Sequence, residues 1–399
     1  MITLLYRHSN RFKKLVVERG VGVEEAIIIK NGKVIDPSID EIQKKDIAIK
    51  NGKIVSLEEL INSKSEILTI DASDCYVSPG FIDMHVHVFT DYTELGIEPD
   101  KIGIEQGVTT IVDAGSTGTE DFPRFKEMII DKSKTEILTF LNISKKGLCH
   151  GLAELADLKN LMTYDEFKEV NIEGSGIVGL KARMSSSVVK KSGILPLIYA
   201  RGLADVTGLP IMTHIGNPPP NLQEIFPILR KGDIVTHAFH GKKHGILGEE
   251  GKMIQDALDG LKRGVLFDVG HGTESFSYKT LMKYKQNYDY PFTISTDIYI
   301  NNYAKPVGSL MQTMSKLMGL GYSLEEVVKS VTIRVKENLN LKEQGTLDVN
   351  TRADVTIFKL SNIKQELIDS QGKLIVVDQM IKPYMTIREG KVVFSHDKN

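Results

Sequence analysis

The sequence predicts an α/β protein, a (β/α)8 TIM barrel carrying a small β-sandwich domain built from both termini. Three observations point there: short apolar runs alternate with helical stretches through the middle of the chain, hairpin-like runs bracket its two ends, and 399 residues exceed the usual size of a single core.

At the ends, AIIIKNGKVIDP and DIAIKNGKIVSL near the start resemble ADVTIFKL, GKLIVVD and YMTIREGKVVF near the finish. Each joins a β-branched run to an NG, GK or EG turn, the mark of hairpins in one shared sheet system. The expected sandwich takes residues 1–77 with 345–399, and the barrel takes 78–344. Within the barrel, strands are expected at 79–87, 108–115, 136–144, 176–183, 209–216, 233–240, 264–272 and 292–297. Eight strands with intervening helices fit a closed barrel, whose active site lies where the strands end. An open doubly wound sheet is the alternative, but no Gly-rich dinucleotide loop follows the first strand.

Composition narrows the function. Fifty basic and 52 acidic residues leave a formal charge of -2, so no global field draws the chain to nucleic acid or an acidic membrane. No apolar run reaches the roughly 18 residues that span a bilayer. Only Cys75 and Cys149 are present, which rules out a disulfide framework and fits the cytoplasm. The opening twenty residues carry five Arg or Lys and one Glu. They read as a solvated leader, with a targeting segment or nucleic-acid arm as alternatives, and need not belong to the folded unit. The expected partners are a small-molecule substrate and copies of the same chain.

Six of the ten histidines fall at or just after the C-terminal ends of the expected strands. His85 and His87 lie two apart on the first strand, so its alternation turns both imidazoles the same way. Alone, such a pair is equally a pair of satisfied polar residues at a barrel mouth. His214 closes the fifth strand and His237 the sixth, each after a Thr. Four imidazoles converging on one rim would be costly unless they bind metal or one another. Asp297 ends the eighth strand, where a carboxylate can hold a metal and take a proton from water, or simply cap a helix. Lys181 ends the fourth. An ammonium there would be repelled by metal charge, whereas an N6-carboxylysine formed with CO2 would offer two oxygens to bridge two ions. The plainer alternative is a lysine that snorkels to the rim.

Taken together, PGFIDMHVH, Lys181, His214, His237 and Asp297, in this order on these strands, resemble the amidohydrolase superfamily in its binuclear, carboxylated-lysine branch. VDAGSTG, GLKARMS, MTHIGNPPP, DIVTHAF, FDVGHGTESF and FTISTDIY look most like its dihydroorotase-like group of bacterial deacetylases. The resemblance implies that His85, His87 and Asp297 hold one divalent metal ion, that His214 and His237 hold a second, and that carboxylated Lys181 bridges them with a hydroxide. Zinc suits these ligands best, with manganese or iron as alternatives. The implied catalytic acid–base is Asp297.

For the substrate, Arg183 shares the strand face of Lys181 and could take a carboxylate in its fork, or form a surface ion pair. His271, between Gly270 and Gly272, occupies a substrate-contacting position in the resembled group. Asn142 and Ser144 end the third strand within reach of a substrate. His240 stands where the resembled deacetylases more usually have Asn, which leaves substrate choice open. His150 and His244 read as surface residues. The expected activity is hydrolysis of an amide or ester, most plausibly removal of an acetyl group from a small carboxylated N- or O-acetyl compound. A cyclic amidase of the dihydroorotase or hydantoinase kind is the alternative. A purine aminohydrolase such as adenine deaminase, or a non-catalytic scaffold, fits less well, because the scaffold predicts missing ligands and all six are present.

Overall fold

The computed structural model describes residues 3–8, 11–16, 26–39, 41–63, 65–248 and 250–396. The side chains of the basic leader, on which its solvated reading turns, lie outside the described residues; only its backbone pairing, Thr3–His8 against Arg11–Val16, is described.

Eight parallel strands form one sheet in chain order: β1 (Phe81–Val86), β2 (Val108–Ala114), β3 (Glu136–Asn142), β4 (Ile177–Met184), β5 (Ile211–Ile215), β6 (Ile234–Thr236), β7 (Leu266–Asp268) and β8 (Phe292–Thr293). β1 and β2 are buried along their whole length. That is why they read as near-continuous apolar runs rather than as alternating ones. The sheet closes on itself just beyond β8: Asp297 N–H donates to His85 O at 2.7 Å, and His87 N–H donates to Ile298 O at 3.0 Å.

Helices cover the outside. The longest among the described residues, Leu195–Thr207, buries Pro196, Leu197, Ala200, Leu203 and Ala204, the helical spacing of an inward face. It stops at Gly208, whose φ of 73° a side chain would resist. Helix Tyr164–Val170 opens on a capping box, with the Thr163 hydroxyl accepting from Glu166 N–H and the Glu166 carboxylate accepting from Thr163 N–H.

The last three strands are shorter than their apolar runs. β6 ends before His237 at φ 64°, β7 before Gly270 at φ 47°, and the run after β8 turns at Asp297 with φ 47°. A left-handed residue cannot continue a ladder, so each run leaves the sheet where its polar residue arrives.

Two further sheets lie outside the barrel, the first built from both chain ends and the second from the N-terminal part. One holds, in order, Lys391–Ser395, Met380–Arg388, Val355–Ser361, Tyr76–Pro79, Lys33–Asp36 and Glu41–Lys44; the other holds Lys53–Val55, Ile47–Lys50, Ala26–Lys30 and Ile67–Asp71. Ile27, Ile29 and Ile49 from the second pack with Val34, Val77, Val355 and Ile357 from the first. The alternate residues Ala26 and Ile28 instead pack on Leu60 of helix Leu57–Asn62, as the two faces of one strand must. A separate hairpin, Gln365–Ile368 with Leu374–Val377, reaches back to the barrel: Ser370 N–H donates to Phe276 O at 3.1 Å. Among the described residues no helix is long and apolar enough to cross a membrane.

Candidate metal centre

The rim where the strands end brings together side chains from β1, β4, β5 and the turns after β6 and β8. His85 and His87, two apart on β1, approach Asp297 Oδ1 through their Nε2 atoms at 3.3 and 3.2 Å. These three could hold a metal ion: one ligand atom from each lies within 4.8 Å of the others. Burial pushes the Asp297 carboxyl up, but its His87 contact and the nearby His237 and Lys181 outweigh burial and hold it below its ordinary value. Its left-handed backbone is strain that surrounding structure must hold in place, at about 1–3 kcal/mol for such a residue.

His214 and His237 form a second pair, His237 Nε2 lying 2.9 Å from His214 Nδ1 and 3.9 Å from Asp297 Oδ2. The other ring nitrogen of His237 lies 2.6 Å from Gly270 O. A carbonyl only accepts, so Nδ1 carries the proton and Nε2 presents a lone pair to the centre. Burial depresses His237 to about 4 and holds His85 and His214 well below the usual range. Neutral imidazoles are the ligand form.

Lys181, fully buried on β4, places Nζ 3.1 Å from His85 Nε2 and 3.3 Å from Met212 Sδ. Burial lowers it from near 10.5 to about 7. Gly115 lies against its stem, where a Cβ would come within 2.8 Å of Lys181 Cβ and Cγ. The snorkelling alternative therefore does not describe it. The donor set fits a divalent ion: imidazole lone pairs and a carboxylate converge on one space, with a buried amine at its edge.

Comparison with known proteins is consistent with this geometry. Residues 347–393 match a family described as a deacetylase-like composite domain. Over 369 residues, 92% of this chain and 98% of the relative, the sequence is 37% identical to a protein of Enterococcus faecalis named deacetylase. It is 36% identical to a deacetylase of Agrobacterium fabrum, covering 84% of this chain and 82% of that one. The chain belongs to the deacetylase-like family of the amidohydrolase superfamily. A crystal structure of a protein called adenine deaminase superposes with a TM-score of 0.85 at 36% identity, covering 93% of this chain and 99% of that one. One of a dihydroorotase gives 0.84 at 34%, covering 93% and 98%. The amidohydrolase is an enzyme of the hydrolase class.

Around the metal candidates, the amidohydrolase places the substrate-side residues unevenly. Arg183 is partly exposed, its NH1 donating to Glu154 Oε2 at 3.0 Å and to Leu152 O at 3.4 Å. Glu154 is buried, so the pair is not the surface ion pair that the sequence allowed, and one edge of the fork is fixed. Asn142 Nδ2 donates to Gly115 O at 3.1 Å, and its Oδ1 accepts from Ser144 N–H at 2.9 Å. It shapes the end of β3 beside Lys181. The Ser144 hydroxyl is buried without a partner among the described residues.

His271 does not lean over the centre. It is fully buried against Phe276, with Nε2 2.8 Å from Lys316 Nζ and Nδ1 2.9 Å from Gly272 O. An ammonium only donates and a carbonyl only accepts, so both ring nitrogens are engaged in structure. His240 is buried, Nδ1 accepting from Lys242 N–H at 3.2 Å while Nε2 has no partner among the described residues. His150 and His244 are exposed.

Two residues that sequence reasoning missed belong to this neighbourhood. Tyr299 lies edge-on to His87 with ring centres 6.5 Å apart, and its hydroxyl bonds Thr273. Glu154, which holds Arg183, comes from a loop with no periodic signal. A groove of about 840 Å3 opens elsewhere, at the opposite end of the barrel, lined by Pro210, Arg201, Asp205, Arg230 and Lys342. It is far from the imidazoles and has no part in the site.

Proposed function

We propose that the protein is a metal-dependent deacetylase acting on small carboxylate-bearing N- or O-acetyl compounds. One observation carries the reading: six side chains from five places along the chain converge on one rim, beside a guanidinium whose orientation a buried glutamate fixes. His85, His87 and Asp297 would hold one ion and His214 and His237 a second, with Lys181, carboxylated by CO2, between them. When bound, two divalent ions supply Lewis acidity and an ionised water at neutral pH. Zinc fits these nitrogen and oxygen donors best.

The residues do the rest. Asp297, held ionised, takes the proton from the attacking water and returns it to the leaving nitrogen or oxygen. Arg183 receives the substrate carboxylate on the edge of its fork that Glu154 leaves open. Tyr299 borders the space above His87. Two cysteines, Cys75 and Cys149, that form no disulfide support a cytoplasmic setting, and the chain is expected to assemble with copies of itself.

The likeness to a dihydroorotase structure keeps a cyclic amidase as the second reading. Metal analysis and initial rates separate them. About two metals per chain with acetate release from N-acetyl amino acids or O-acetyl hydroxy acids supports the deacetylase. Opening of dihydroorotate or hydantoin rings instead replaces it with the cyclic amidase, and a metal-free active protein overturns both.

A further inference from the structure

Behind the histidines lies a set of hydroxyls and carboxylates that the reaction does not touch. Asp268 ends β7, fully buried, and three hydroxyls surround it: Thr236 at 2.7 Å and Ser295 at 2.6 Å on Oδ2, and Thr293 at 2.9 Å on Oδ1. Asp113, one residue before the end of β2, is held alike, taking the Ser116 hydroxyl at 2.7 Å and Val88 N–H at 2.9 Å on Oδ2, and Ser116 N–H at 2.8 Å on Oδ1.

Donor and acceptor chemistry gives these bonds a direction. A carboxylate only accepts, so Thr236 and Ser116 each give it their one hydroxyl proton. Their remaining lone pairs face His85 Nδ1 at 2.9 Å and His87 Nδ1 at 3.0 Å. Each imidazole must then donate from Nδ1, which leaves the lone pair on Nε2, the atom that faces Asp297. Asp268 also reaches the other pair of histidines. Ser295, its proton committed to Asp268, accepts from Gly270 N–H at 3.1 Å, and the carbonyl of Gly270 holds His237 Nδ1.

We infer that the relays Asp268–Thr236–His85 and Asp113–Ser116–His87 set the tautomer and aim of the paired histidines, which makes Thr236 and Ser116 positioning residues for metal binding. The inference rests on the metal reading above. Asp268 is the hub, because through Thr236 it orients a ligand of one ion and through Ser295 and Gly270 a ligand of the other. Groups that orient ligand imidazoles in this way commonly govern affinity by about 10- to 100-fold.

The test is metal affinity, measured by competition with a chromophoric chelator on the full-length protein. Thr236→Val keeps the shape of the side chain and removes the relay; Thr236→Ser keeps the hydroxyl. Thr139→Val serves as the control, since Thr139 is equally buried on β3 and its hydroxyl has no partner among the described residues. We expect Thr236→Val and Ser116→Ala each to bind zinc about 10- to 100-fold more weakly, with Thr236→Ser and Thr139→Val close to the parent. Nitrogen-15 spectra of labelled histidine should lose one Nδ1-protonated ring in each relay variant. Parent-like affinity and spectra in both relay variants overturn the inference while leaving the metal reading intact. A parent protein that takes up no zinc overturns both.

Discussion

The two ends of the barrel bury charge in opposite ways. At the base, Glu136 at the start of β3 accepts from Arg352 at 2.8 Å and from Thr110 at 2.8 Å, while Arg352 Nε donates to Asp354 at 2.8 Å. Asp233, just before β6, accepts from Arg201 at 2.6 Å and from Ile211 N–H at 2.8 Å. Every one of these charges has a charged partner, and Glu136 to Arg352 joins the barrel to the sheet that follows it. At the rim, the lysine amine meets an imidazole and a thioether, and the imidazoles meet one another. Paired charge stabilises a fold chiefly by punishing its own disruption. Converging groups without full compensation are poised for something that arrives later.

Substitutions at the two ends should therefore fail differently. The largest expected effect is at the rim: Asp297→Asn should lower kcat/KM by roughly a thousandfold or more, with the thermal unfolding midpoint little changed. A loss of less than tenfold would remove Asp297 from proton transfer. At the base, Arg352→Met leaves Glu136 and Asp354 buried without their partner. It should lower unfolding free energy by about 3–5 kcal/mol while kcat per folded molecule holds, as denaturant titration beside rate measurement would show.

Lys181→Met sharpens the contrast because it should move stability the other way. Burial lowers Lys181 to about 7, so between that pH and about 10.5 the unfolded chain binds a proton that the folded one lacks, and stability rises with pH across the window. The cost of the buried amine is fully present below about pH 7. Chelator-treated Lys181→Met should then be more stable than the parent below pH 7, by at most about 5 kcal/mol, with the advantage fading toward pH 10. Equal stability at both pH values would contradict a burial-strained lysine.

Arg183→Met should raise KM for carboxylated substrates about 10- to 100-fold and leave an uncharged acetyl ester unaffected; equal effects on both would assign Arg183 a purely structural task. The smallest effect belongs to the exposed pair Lys168 and Asp165. Asp165→Ala should leave the thermal unfolding midpoint indistinguishable from the parent's.

Much of this was legible in the sequence, for a physical reason. A long apolar run that ends in polar residues announces both a barrel strand and its rim, and His85, His87, His214, His237 and Asp297 follow that rule, whereas Lys181 stands inside β4 three residues before its end. Strand ends were less legible, since the left-handed turns at His237 and Asp297 leave no mark in hydrophobic periodicity. His271 obeys the same rule yet turns away, because Lys316 lies beneath it from helix Leu310–Gly319. In sequence that lysine looks like any solvent-facing one. The relay hydroxyls were invisible for a related reason: Thr236 and Ser116 gain their meaning only from the carboxylates and imidazoles that folding sets beside them, 151 residues away in the case of His85.

The strand Tyr76–Pro79 lies between Lys33–Asp36 and Val355–Ser361, and at its end Phe81 N–H is received by the hydroxyl of Thr356, 275 residues further on. A nascent chain thus carries this strand out of the ribosome with one edge bare and keeps it bare while the whole barrel is made. The first barrel strand waits as long for the threonine that receives its opening amide. Synthesis and folding cannot finish in the same order here, so the last strands to emerge close the part of the molecule that emerged first.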